Sequence, residues 1–326
     1  MLKKIIVHSA DLLKILSDGE FHSGQTLGQA LDVSRASVWK AIQYLQKLGV
    51  VVYSVRGKGY RLKEPVELLS EREIKSYMSQ RALACFSNID IRIATGSTNA
   101  DIQVCDGSYS VCMAELQTAG KGRRGRVWFS PFAKNIAMSL LWQFPDSGVP
   151  LDGLSLCVGV AVARAIKTLG ITNVALKWPN DLYCDGRKIA GILIEIKGEL
   201  SGSVRVVIGI GVNVSMAVED GVDIDQPWTA LSAFCEEQVS RNRLTAEILN
   251  EMTAALCSYQ SEGFGAFIDE WSAHDFLYGR EVSLMIGNEA ITGIAKGVNE
   301  HGALLVESTS GIRQYSGGEV TVRSVS

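Results

Sequence analysis

The sequence predicts a multidomain α+β protein: an N-terminal winged helix-turn-helix, a central mixed α/β domain and a C-terminal SH3-like β-barrel. Three observations point there. Through Lys63 the chain carries ten lysines and arginines against four acids, although its overall formal charge is −3. Its middle alternates apolar, strand-like runs with helical stretches. From about Trp271 only short alternating runs remain, separated by glycine-rich turns. At 326 residues the chain can bury two or three cores. The expected boundaries are 1–63, 66–272 and 273–326.

Apolar residues at 5, 6, 12, 13, 15 and 16 predict a first helix stopping by Gly19. Ser23 can cap a second, short helix, and Ser34, after the Asp32-Val33 turn, a third that runs to Leu48 with Gly49 as its stop. Two helices joined so tightly form a helix-turn-helix, whose second helix enters the major groove N-terminus first. That presents Ser34, Arg35, Ser37 and Lys40. Val50–Val55 and Tyr60–Leu62 pair across Arg56-Gly57-Lys58-Gly59, a basic tip suited to phosphate through Arg56 and Lys58. A helical protein-interaction module is the other reading, and the charge imbalance argues against it.

Lys63-Glu64-Pro65 reads as a linker, and the stretch from Ser70 to Leu83 as one helix, with Glu73 completing a capping box. The strand 89–93 ends at Thr95-Gly96-Ser97-Thr98-Asn99, where small hydroxyls and an amide can bond a neutral polar ligand or cap the next helix. Next comes a buried strand, 111–116, and then the stretch Gln117-Thr118-Ala119-Gly120-Lys121-Gly122-Arg123-Arg124-Gly125-Arg126-Val127-Trp128-Phe129-Ser130-Pro131. Cations this crowded repel unless an anion sits among them, and glycines let backbone N–H groups approach it. The first reading is a loop closing over a phosphate-bearing ligand. A dinucleotide fingerprint is disfavoured because no helix opens at the third glycine. A nucleic-acid patch and a solvated loop stay open on local pattern alone.

A strand at 135–144, an apolar helix at 151–169 and the run Lys177-Trp178-Pro179-Asn180-Asp181-Leu182-Tyr183 follow. Arg187-Lys188-Ile189-Ala190-Gly191-Ile192-Leu193-Ile194-Glu195 is a central strand opening on Lys188, which either snorkels or is held for an anion. Val204–Asn213 is another, whose glycines permit close approach by a ligand or backbone. An amphipathic helix covers 244–258. Trp39, Trp142 and Trp271 are expected to pack in cores.

The seven cysteines show no C-x-x-C and the four histidines no H-x-x-x-H spacing, which disfavours disulfides and a protein-held metal. The opening Met1-Leu2-Lys3-Lys4 has no signal-peptide apolar region, and no apolar run is long enough for a bilayer. A soluble cytoplasmic protein with no membrane partner is expected.

Gly-Lys-Gly-Arg-Arg-Gly-Arg with Trp128 and Ser130-Pro131, then Lys177-Trp178-Pro179-Asn180-Asp181, then Arg187-Lys188-Ile189-Ala190-Gly191-Ile192-Leu193, resembles the biotin–protein ligases. With the N-terminal helix-turn-helix and Gly57-Lys58-Gly59-Tyr60, the whole chain resembles the bacterial bifunctional biotin ligase/repressors. The resemblance implies a biotin ligase catalytic domain at 66–272. It implies ATP and Mg2+ as cofactors, biotin as substrate, and a two-step reaction through biotinyl-5′-AMP. The product is an amide on a lysine of a biotin carboxyl carrier protein, an acetyl-CoA carboxylase subunit. Operator DNA and a ligand-promoted homodimer are the other implied partners. By the same resemblance Lys188 and Arg123 are catalytic, and Ser97, Thr98, Asn99, Gln117, Lys121, Gly122, Arg123 and Lys188 bind biotin. Arg126, Trp128, Lys177, Asn180 and Asn213 line the nucleotide side. The loop often opens Gly-Arg-Gly in the family; Lys121 here keeps the charge and loses the planar fork. A catalytically inactive biotin-sensing repressor and a lipoate or octanoate ligase relative are the competing functions.

Overall fold

The computed structural model describes residues 2–104, 109–145, 150–197, 203–287 and 289–322. Three helices open the chain: α1 (Leu2–Leu16), α2 (Gly24–Ala30) and α3 (Arg35–Lys47). Ser23 and Ser34 cap α2 and α3, their side chains accepting from Thr26 N and Ser37 N. The hairpin β1 (Val52–Val55) and β2 (Gly59–Leu62) is the wing. Leu12, Leu13, Leu16, Leu27, Val38, Ala41, Ile42 and Leu45 bury together as a separate core. Trp39 corrects the packing expectation: it is 53% exposed. Val38, Ala41, Ile42 and Leu45 form the buried stripe of α3, and Trp39 lies about 100° round the helix from Val38, beside exposed Lys40.

The predicted single helix over 70–83 is two: α4 (Glu71–Tyr77) and α5 (Gln80–Cys85). Ser79 caps the second by accepting from Ala82 N. The break is satisfied from a distant helix, since Asn250 Oδ1 accepts from Ser79 N at 2.8 Å and its Nδ2 donates to Tyr77 O. Local sequence carries no sign of Asn250.

The central unit continues with β3 (Ile89–Arg92), α6 (Thr98–Ile102), β4 (Ser110–Ala114), β5 (Asn135–Phe144), α7 (Leu154–Lys167), β6 (Val174–Lys177), β7 (Asp181–Cys184), β8 (Arg187–Lys197), β9 (Val204–Asn213) and α8 (Arg241–Glu262). Its seven strands lie in the order β3-β4-β5-β9-β8-β7-β6, antiparallel except for β3 and β4. The strands alternate, so each face has its own set. Val206, Ile208, Ile210 and Val212 of β9 join the large core with α7 and α8. The other face shows Val207, Gly209 and Gly211, in register with Leu141, Ser139 and Ala137 of β5 and with Glu195, Leu193 and Gly191 of β8. That glycine-floored face carries α6 and the cationic loop.

The short helix α9 (Ile268–Ala273) precedes the C-terminal strands β10 (Glu281–Ile286), β11 (Glu289–Val298), β12 (Leu304–Ser308), β13 (Gly311–Tyr315) and β14 (Glu319–Val322). They form an antiparallel sheet in the order β13-β12-β11-β10-β14, the β unit the sequence predicts. Strand β13 had no sequence signal: it is almost wholly exposed and does not alternate. Between α9 and β10, Leu176 N donates to His274 O and Phe276 N to Leu176 O, so the connecting segment extends the central sheet's edge. Among the described residues no helix is long and apolar enough to cross a membrane. No disulfide joins the described cysteines; Cys105 lies outside the described residues.

Candidate functional site

A cavity of about 810 Å3 opens over the glycine floor. Ser97, Thr98, Asn99 and Gln117 line one end, and Arg123, Arg126, Lys177 and Lys188 the other, with Trp128 among them and Lys121 also on the wall. Residues 50 to 100 positions apart in sequence thus converge on one face of one sheet.

The cationic loop is folded over this cavity. Gln117 bridges to Thr95 and Ser130 at its base, Lys121 bridges to Val127 as a stem, and Arg123–Gly125 make a 3-10 turn with Arg124 left-handed. Trp128 lies against the sheet because glycines leave it room. A Cβ on Gly211 would sit 2.3 Å from the indole, and one on Gly191 3.1 Å from it. The Trp128 Nε1 is buried over Gly211, with no hydrogen-bond partner among the described residues.

Lys188 is held, not snorkelling. Its ammonium lies 2.7 Å from Asp181 Oδ1 and 5.6 Å from the Trp128 ring centroid. Both side chains of this ion pair are largely buried. Arg123 Nη1 donates to Asn180 Oδ1 at 3.3 Å, and Asn180 Nδ2 donates to Ile192 O at 2.7 Å. Both polar ends of Asn180 are therefore engaged, one on the loop and one on β8. Burial, then the neighbouring Arg124, pull the Arg123 guanidinium below its ordinary value, while Asp181 and Glu319 oppose them. Lys177 is likewise lowered, chiefly by burial, and donates to the Tyr183 hydroxyl at 3.1 Å. Arg126 pairs with Glu319 of β14, so the C-terminal sheet touches the loop. Trp178 Nε1 donates to Gly302 O at 3.0 Å, a second tie to that sheet.

At the neutral end Ser97 precedes α6 but makes no side-chain capping bond. Instead Gln117 Oε1 accepts from Thr98 N at 2.9 Å. Asn213 is the exception among the expected site residues. It is buried, donates to Thr229 O at 3.1 Å and to Lys188 O at 3.5 Å, and does not line the cavity. It lies at the end of β9, tied to the backbone of Lys188 and Thr229. Sequence reasoning gave no role to Asp181, the partner of Lys188, or to Glu319. The KWPND run held the first in plain view; nothing local marked the second.

In the N-terminal unit Ser34, Arg35 and Lys40 are exposed along α3, and Ser37 is half-buried, its hydroxyl 3.0 Å from that of Ser34. Arg56 and Lys58 sit at the exposed wing tip, with the Lys58 ammonium 5.7 Å from the Phe21 ring centroid. The two units are in contact: Phe132, just past the cationic loop, packs on the N-terminal core, and Lys134 pairs with Glu64.

Comparison with known proteins agrees with this layout. Residues 70–213 match the Biotin/lipoate A/B protein ligase family, residues 8–61 an HTH domain, and residues 278–323 the biotin protein ligase C terminal domain. The chain is 40% identical over 317 residues to the bifunctional ligase/repressor BirA of Escherichia coli (strain K12), covering 96% of each chain. It is 33% identical over 320 residues to the protein of that name in Bacillus subtilis (strain 168), covering 95% of this chain and 97% of that one. The biotin protein ligase of Aquifex aeolicus, solved in complex with biotin and ATP, superposes with a TM-score of 0.63 at 27% identity, over 73% of this chain and 99% of that one.

Proposed function

This chain belongs to the biotin protein ligase family, among its bifunctional ligase/repressors, and from that premise we propose how its parts divide the work. The protein is an ATP-dependent biotin ligase that also carries a DNA-binding domain. In the first step the biotin carboxylate attacks the α-phosphorus of ATP; the bond to the bridging oxygen breaks and pyrophosphate leaves. In the second a carrier lysine amine attacks the mixed anhydride, loses its proton, and AMP departs.

The observation that carries this reading is the polarity of the cavity. One end offers neutral hydroxyls and amides; the other gathers Lys188, Arg123, Arg126 and Lys177 from the loop, β6 and β8. Two anionic reactants can meet only where fixed cations screen their repulsion. Lys188 and Arg123 flank the reacting groups, while Ser97, Thr98, Asn99 and Gln117 hold the ureido ring, with Lys121 and Gly122 over the bicycle and tail. Trp128 and the folded loop exclude water from the anhydride. Arg126 and Lys177 face the nucleotide. Asn180 fixes Arg123, and Asn213 braces the Lys188 strand. Magnesium would accompany ATP, held mostly by phosphates and water.

The carrier is a biotin carboxyl carrier protein, and the winged helix binds operator DNA through Ser34, Arg35, Ser37, Lys40, Arg56 and Lys58, with biotinyl-AMP promoting the homodimer that reaches two half-sites. The protein, incubated with ATP, magnesium, biotin and a carrier domain, is expected to add one biotinyl mass to a carrier lysine. No added mass together with no biotin-dependent ATP–pyrophosphate exchange would leave a sensing repressor. Preferential use of free lipoate would move the chain to the other branch of the family.

A further inference from the structure

Glu195 does not line the cavity, yet it sits on the cavity face of β8, one step along from the row Ser139, Gly209 and Leu193. Its Oε2 accepts from Asn99 Nδ2 at 2.8 Å and from Gln103 Nε2 at 3.1 Å. Asn99 in turn lies flat on the floor, since a Cβ on Gly209 would come 2.3 Å from its Oδ1.

Counting protons fixes the direction of every bond in this chain. A carboxylate only accepts, so the Asn99 amide must turn its nitrogen to Glu195 and its oxygen away. That oxygen lies 2.6 Å from Ser139 Oγ, which is also 2.7 Å from Thr98 Oγ1. Ser139 has one proton, and the Asn99 oxygen can only receive it. The contact at 2.7 Å is therefore made by the Thr98 hydroxyl donating to Ser139. Thr98 Oγ1, 3.2 Å from Gln117 Oε1, has no second proton for that neighbour, and the Gln117 oxygen is filled by the Thr98 N–H instead. On these three lining residues there remain a lone pair on Thr98 and, among the described residues, unshared amide protons on Asn99 and Gln117. A cyclic urea is complementary to that set, with a carbonyl oxygen to accept and flanking N–H groups to donate.

We propose that Glu195 is a positioning residue that sets the donor and acceptor sense of the ureido-recognition end by orienting Asn99, and through it Ser139 and Thr98. The proposal rests on reading this cavity as the biotin site. A glutamine at 195 could donate to the Asn99 oxygen, and the chain could then run backwards: Asn99 to Ser139, Ser139 to Thr98, Thr98 to Gln117. The buried bonds would all survive and the face shown to the ligand would be wrong.

The test is biotin-dependent ATP–pyrophosphate exchange by the full chain, with biotin and with 2-iminobiotin, whose carbonyl oxygen is replaced by nitrogen. Glu195→Gln is expected to raise KM for biotin about tenfold or more with kcat within about threefold, and to narrow the preference for biotin over its imino analogue. Ser139→Ala cuts the chain further on, so the double variant is expected to add little to the larger single effect. Glu195→Met, which removes the acceptor without adding a donor, gives a smaller KM rise and serves if the glutamine variant folds poorly. An unchanged KM in the Glu195 variants, effects that multiply in the double variant, or a fall in kcat at constant KM overturns the proposal. A wild-type protein with no biotin-dependent exchange overturns the site reading instead.

Discussion

Lys188 and Asp181 form an ion pair of 2.7 Å across the β7–β8 ladder, with side-chain exposures of 13% and 17%. The ammonium is therefore held in place by a carboxylate, with the Trp128 ring centroid 5.6 Å away. In the proposed reaction an arriving phosphate would compete with Asp181 for an ammonium already in place, which keeps the reorganisation small. Lys188→Met is expected to lower kcat/KM for biotin-dependent exchange by about a hundredfold to a thousandfold. Lys188→Arg is expected not to restore it, because a planar fork does not replace a compact ammonium. A methionine variant within threefold of wild type would refute the assignment.

Gly211 keeps Trp128 on the sheet. Alanine there places a methyl 2.3 Å from the indole, so the loop must lift. Gly211→Ala is expected to weaken biotin and ATP binding together by about tenfold, to speed tryptic cleavage at Arg123–Arg126, and to leave the melting temperature nearly unchanged. Adding Trp128→Leu should restore much of the protection from trypsin. Wild-type cleavage rates in Gly211→Ala would mean that the loop does not depend on this contact.

Arg241 and Glu115 are a buried pair that holds the site's frame. Arg241 Nη1 donates to Glu115 Oε2 at 2.8 Å and to Asn135 O at 3.2 Å, joining the starts of α8 and β5 to the end of β4. Breaking it from one side strands a charge in the core. Arg241→Met is expected to cost about 3–5 kcal/mol in urea unfolding, and Arg241→Met with Glu115→Leu markedly less. Equal losses in the single and double variants would show that the charge left behind is not the cause.

Asp275, on the segment leading into the C-terminal sheet, has its carboxyl raised to about 6, chiefly by burial, against the opposing backbone N–H groups of Leu277 and Tyr278 and the charge of Arg280. Oδ1 accepts from Leu277 N, while Oδ2 is buried with no hydrogen-bond partner among the described residues. The folded value lies above the unfolded one of 3.8, so the stabilising state is the protonated one. Its contribution is full below about 4 and is lost as pH rises through about 6. Asp275→Asn is expected to be about 1–3 kcal/mol more stable than wild type at pH 7.5 and to lose that advantage below pH 4. A constant difference across that range would place the effect outside this titration.

Much of the layout could be read from neighbours in sequence. Ser23 and Ser34 cap their helices through backbone N–H groups three residues on, the wing follows from alternation around Arg56-Gly57-Lys58-Gly59, and the cations and glycines of the loop announce an anion site before any fold is known. The role of the β9 glycines was half legible: close approach was expected, and the approaching groups, Asn99 and Trp128, come from about 80 to 110 positions earlier. Asp181 was visible in its motif yet silent about its partner, because the shifted β7–β8 register sets Lys188 opposite Tyr183 and its ammonium reaches Asp181 diagonally.

By itself, then, the sequence determined the caps, the turns, the amphipathic stripes and the company of charges, because each of these is settled within a few residues by backbone chemistry and periodicity. Only the tertiary structure decided that Trp39 faces outward, that Asn250 splits the helix at Ser79, that Asn213 spends its amide on the Thr229 carbonyl, and that Asn99 donates to Glu195. Those outcomes depend on side chains from remote elements meeting in one place. A buried polar atom takes the partner that packing puts within 3 Å or so, and no local pattern carries that distance.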